Sequence, residues 1–154
     1  MLSLILIGVL CILFNIGDSV STHYALNHLP DNLKAKESNP FAASIMNNDP
    51  LISDLIKHIG VTMIVFFFVV LQQKAVLIEV TIMFGLVVAS NTELIIARKI
   101  TKRKVTTPFG YLCEKLKIPK KFQFFLFVIL IIIVSIIATH FILGTWSVYG
   151  INRQ

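Results

Sequence analysis

The 154-residue chain is 56% hydrophobic and only 14% charged, with a mean hydropathy of +0.82. Soluble domains carry about 25% charged residues, so this balance excludes an ordinary water-soluble domain and points to an all-α integral membrane protein. The net charge of +6 is concentrated, nine of the fourteen Lys and Arg falling between Arg98 and Lys121, which argues against a generally basic surface.

Length predicts one domain, residues 1–154. Four stretches reach the roughly 20 apolar residues that a bilayer needs, at about 2–24, 55–72, 75–97 and 122–143. Inside hydrocarbon every backbone group needs an internal partner, so each is expected to be an α-helix. The first run lacks a basic start and is too long for a signal h-region; it is read as a retained span. On it Asn15, Asp18, Ser19 and Thr22 form a polar stripe at about 100° per residue, with His23 beside them. Polar groups in such a stripe should face other helices, because lipid offers them no partner.

Loop 1 contains Glu37 and then Asn39-Pro40, a capping residue before a proline with its φ already set, which predicts a short helix "PFAASIMN". Asp49-Pro50 opens the second span in the same way. That span places Asp54 and His58 four residues apart and hence on one face. In the third span Glu79, Ser90 and Glu93 align on one face. Asp18 is expected about 24 Å down the first helix. Asp18, Thr22, His23, Glu37, Asn39, Asp54, His58 and Glu93 are therefore expected to converge at one end of the bundle, with Glu79 at the other.

Loop 3 is basic: Arg98, Lys99, Lys102, Arg103 and Lys104 are expected to face anionic lipid rather than nucleic acid, at about 1 kcal/mol per cation near the surface. Thr107-Pro108 starts "PFGYLCEKLK", whose Phe109, Leu112, Cys113 and Leu116 share a face, predicting a basic amphipathic segment on the membrane surface. The fourth span carries Ser135, Ala138 and Thr139, a small-residue surface suited to close helix approach. Its His140 is expected near the outer interface. Twelve of the fourteen Lys and Arg belong to loops 1 and 3 with their flanks, against Lys74 and Arg153 on the other side. This predicts cytoplasmic loops 1 and 3, both termini outside, and a plasma-membrane protein with an outer belt of Trp146 and Tyr149. Cys11 and Cys113 lie in different settings and are not expected to pair.

For the polar cluster, one reading is structural: Asp18 holds loop and helices together by accepting hydrogen bonds. A second is a transition-metal site built from His23, His58 and Asp18, imidazole with carboxylate being a suitable donor set. A third is an ion or proton path through Asp18 and Glu93, since intramembrane carboxylates are functional candidates by default. No nucleophile elbow, phosphate loop or zinc-protease motif directs the chain to a particular reaction, and no cofactor beyond lipid is required.

Asp18, Thr22 four residues on, and then Glu37-x-Asn39-Pro40 resemble an uncharacterised family of small prokaryotic four-helix membrane proteins, a domain of unknown function. The resemblance covers about half the chain, from Asn15 to about Ile96. It implies that the polar cluster is a shared feature and supplies no activity. The expectation is a non-catalytic accessory or assembly subunit of a larger membrane complex, of respiratory or monooxygenase type. The alternatives are an oligomeric ion, proton or small-solute transporter, and a membrane metal-binding protein. Partners are expected to be membrane lipids and either other membrane subunits or a second copy of the chain.

Overall fold

The computed structural model describes residues 1–34 and 50–148. It is all-α: α1 (Leu2–His23), a π-helical turn (Tyr24–His28), α2 (Pro50–Val70), α3 (Lys74–Thr101), α4 (Pro108–Lys115) and α5 (Lys120–Val148). Four stretches, Leu2–His28, Ile52–Val70, Lys74–Thr101 and Phe122–Gly144, are long and apolar enough to cross a bilayer, as expected. The helix expected in loop 1, together with Glu37, Asn39 and Tyr149, lies outside the described residues.

Local chemistry sets the helix ends. Helix α1 widens into the π turn, with Tyr24 still in the right-handed helical region, and stops at Leu29, which is extended at φ −78°, ψ 153°. The residue after it is Pro30, whose ring disfavours helical backbone at the preceding position. After α2 the chain turns at Gln72, which adopts φ 54°; the Gln73 N–H then donates to Phe68 O at 2.9 Å, closing a Schellman turn. Residues 71–73 alone separate α2 from α3, so the two helices run antiparallel. Thr107 caps α4, its Oγ1 accepting from the Gly110 N–H at 3.1 Å. A second Schellman turn follows at Lys117, φ 56°, where the Ile118 N–H donates to Cys113 O at 2.9 Å.

Helix α1 packs against α2 and α3, and α5 lies against α3. At the end of the bundle away from the basic loop, the core is Leu4, Cys11, Val65 and Leu77, with Ile7, Phe68 and Phe84 packed on it. Gly8 lets α2 approach closely: a Cβ there would meet Val65 Cγ1 at 3.0 Å. On α5, which lies against α3, Ser135 and Thr139 of the predicted small-residue surface are buried together with Ile131, while Ala138 is half-buried. The Ser135 hydroxyl donates back to Ile131 O at 2.8 Å, which satisfies it without a second helix. Large apolar side chains such as Phe66, Phe67, Ile137 and Phe141 are exposed, the arrangement expected of a surface that meets acyl chains. Both cysteines are free and buried.

Candidate functional site: a polar cluster at the basic end of the bundle

Along α1 the inward face changes from apolar to polar. Leu4, Gly8 and Cys11 are followed by Asn15, Ser19 and Ser21, all buried. Antiparallel packing brings the start of α2 and the later half of α3 to this polar part, and three sets of bonds result.

Asp18 makes the first. Its Oδ2 accepts from Lys57 Nζ at 2.5 Å, and its Oδ1 accepts from Asn91 Nδ2 at 3.1 Å and from the Thr22 hydroxyl at 3.4 Å. Lys57 Nζ also donates to Ser19 Oγ at 3.2 Å. The Asn91 amide additionally reaches Thr22 Oγ1 at 3.1 Å and Ser21 Oγ at 3.3 Å. Two N–H groups thus serve three acceptors, so part of this contact is shared. One carboxylate thereby joins all three helices.

The second is His23 Nε2 with Asp54 Oδ2, 2.5 Å apart. The third is Asn15 Nδ2 with His58 Nδ1 at 2.7 Å. In this arrangement the Asn15 amide donates and His58 carries its proton on Nε2. Asn15 is 1% exposed and its Oδ1 has no hydrogen-bond partner among the described residues. Turning the amide over exchanges the roles and strands the NH₂ group instead, so one polar atom stays unpaired either way.

Between α1 and α2 an open cleft of about 430 Å³ runs beside these bonds, lined by Ile16, Ser19, Val20, His23, Tyr24, His28, Asp54 and His58. Serine, histidine and aspartate all line it, yet they form no nucleophilic relay. Ser19 Oγ accepts from Lys57, and among the described residues it makes no hydrogen bond to His23. A lysine ammonium held by the Asp18 carboxylate is a donor to Ser19, not a base.

Just beyond, Arg98 bolts the end of α3 to two loops. Its Nε donates to Val105 O at 3.1 Å and its Nη1 to Leu33 O at 2.7 Å. Lys99 Nζ stands 4.6 Å from the centroid of the Tyr24 ring, which itself stacks on His28 at 5.5 Å, four residues on. In the loop that follows the π turn, the Lys34 ammonium lies 2.6 Å from Asp31 and holds that carboxyl below the usual carboxylate range.

The structure brings together Asp18, Thr22, His23, Asp54 and His58 among the residues expected to converge. Glu93 is exposed and takes no part; Asn91, two residues earlier and turned toward α1, supplies the α3 contribution. Asp18, His23 and His58 are each committed to a different partner. No three His, Cys, Asp or Glu side chains approach one another closely enough to hold a metal among the described residues. Arg98 departs from its expected lipid-facing position: it is buried, because two backbone carbonyls at loop ends need a donor. Lys99, Lys102, Arg103 and Lys104 are exposed. On α4, Phe109 and Cys113 turn inward, with Phe109 against Phe127 at 5.5 Å, whereas Leu112 and Leu116 are exposed with Tyr111.

In the sequence reading Lys57 counts only as a topology charge, and Asn91 is not singled out. Lys57 lies three residues after Asp54 inside an apolar span, where a cation needs an internal partner; that was the available signal. Asn91 carries no such signal in the sequence: it lies seven residues before Arg98 and shares its face, but only the structure shows that face to be buried. No protein-family model, curated protein or solved structure matches the chain.

Proposed function

We propose that this chain is a non-catalytic accessory or assembly subunit of a larger membrane complex, with its polar cluster acting as an internal fastening. The observation that carries this reading is the commitment of the cluster's charges within the chain: Lys57 on Asp18 and His23 on Asp54. An ion path or a catalytic centre needs a group left available for its substrate, whereas these bonds tie α1 to α2 and α3. The exposed apolar faces of α2 and α5 are then the surfaces offered to lipid and to membrane partners. In the same reading the basic loop sits in the cytoplasm and the chain in the plasma membrane. The family resemblance through Asp18, Thr22 and the Glu37-x-Asn39-Pro40 motif agrees with a cluster that serves the fold.

The test is co-purification. The tagged full chain, extracted from its native membranes in a mild detergent, is expected to carry larger membrane subunits at fixed stoichiometry, identified by mass spectrometry. Recovery only as a free monomer overturns the reading. Proton or cation flux in vesicles that depends on Asp18, lost in Asp18→Asn while the helical content persists, would replace it with the transporter.

A further inference from the structure

We propose that the cleft between α1 and α2 binds one anionic phospholipid, with its acyl chain toward Ile16 and Val20 and its phosphate toward His28 and Lys99. The inference does not depend on the accessory-subunit reading.

Polarity along the cleft has the order of such a molecule. Ile16 and Val20 form its apolar part, and Tyr24 and His28 lie at the end nearest the basic loop. From Ile16 to His28 the helix rises about 18 Å, enough to run from acyl chain through glycerol to headgroup. The 430 Å³ of the cleft falls in the range of about 300–1,000 Å³ usual for ligand sites.

Charge favours an anion at the end nearest the basic loop. Asp54, the acid in the cleft wall, is occupied by His23, and nearby Asp18 by Lys57. Lys99 stands over the ring of Tyr24, a residue of the cleft wall, and has no carboxylate partner among the described residues, so it brings positive charge to this end of the cleft. A zwitterionic lipid would present its own cation to Lys99 and should bind less well.

Native mass spectrometry of the purified full chain in mild detergent tests this, with phosphatidylglycerol and phosphatidylcholine of the same acyl chains as probes. The expected result is preferential retention of phosphatidylglycerol. Lys99→Gln should lower that retention roughly fivefold, the factor for one cation near a lipid surface. Val20→Trp, at a position exposed to the cleft, should fill it and abolish retention of either lipid; melting curves establish that both variants are folded, and Lys99→Gln alone decides the matter if Val20→Trp is not. A Lys102→Gln, Arg103→Gln, Lys104→Gln triple variant should lose less than Lys99→Gln does. Equal retention of the two lipids overturns the proposal, as does a triple variant that loses as much as Lys99→Gln, which would mark diffuse attraction by the loop. Displacement of phosphatidylglycerol by excess inorganic phosphate also overturns it, in favour of a free-anion site.

Discussion

Replacing Lys57 by methionine tests the physics of the cluster most directly. The substitution keeps the length and apolar stem of the side chain and removes the ammonium that lies 2.5 Å from Asp18. Breaking a fully buried ion pair from one side costs about 3–5 kcal/mol, because a charge remains without its partner. Here the Asp18 side chain is 14% exposed and that of Lys57 33% exposed, and Asn91 and Thr22 still donate to the carboxylate. The pair is not fully buried and the carboxylate keeps two hydrogen bonds, so the expected loss is about 2–3 kcal/mol, somewhat below that range. Adding Asp18→Asn removes the stranded charge, and the double variant should lie within about 1 kcal/mol of the original chain. Asp18→Asn alone leaves Lys57 without its carboxylate and carries a cost of its own, so the coupling between the two positions is at least about 1–2 kcal/mol. Reversible unfolding in mixed micelles, titrated with a denaturing detergent and followed by helical circular dichroism, measures all four corners of the cycle. A Lys57→Met variant as stable as the original chain, or a double variant that shows simple additivity, refutes the account of Asp18 as a charge that depends on Lys57.

Arg98→Met should strand the carbonyls of Leu33 and Val105 and cost about 1–3 kcal/mol for each left buried and unpaired; faster hydrogen exchange and proteolysis at both loop ends are the readout. Gly8→Val should destabilise the bundle by about 1–3 kcal/mol through overpacking, since even a Cβ meets the buried Val65 at 3.0 Å. Gly60→Ala, which meets nothing within 4 Å, should instead stabilise by about 0.5–1 kcal/mol, and the same detergent titration separates the two signs. Gln72→Gly should raise stability by about 1 kcal/mol by relieving the left-handed backbone at φ 54°; a lowered unfolding midpoint would contradict that.

The four spans were legible because hydrocarbon imposes length and apolarity on any helix that crosses it, and the described helices begin and end within a few residues of expectation. Helix α3 runs further, to Thr101. Arg98 and Lys99, read from sequence as part of the basic loop, belong to this helix, where one finds carbonyl partners and the other an aromatic ring. The polar stripe of α1 was readable from helical periodicity alone, since Asn15, Asp18, Ser19 and Thr22 have no reason to cluster on a lipid face. Partners were harder. Periodicity says which residues share a face but not which face of α3 meets α1, so Glu93 drew attention for its charge while Asn91, uncharged, makes the contact. Lys57 was counted for topology, and its pairing with Asp18 depends on how far α2 slides along α1, which no spacing within either helix records.

The hydrogen bonds of the cluster run among α1, α2 and α3, while α5 joins through α3 alone among the four spans described. During synthesis, every side chain described in those bonds has therefore been made by the time Asn91 is incorporated, well before Phe122 leaves the ribosome. The first three helices can lock to one another in the bilayer while the fourth span is still in the exit tunnel. It then arrives as a late companion to a bundle whose register has already been decided.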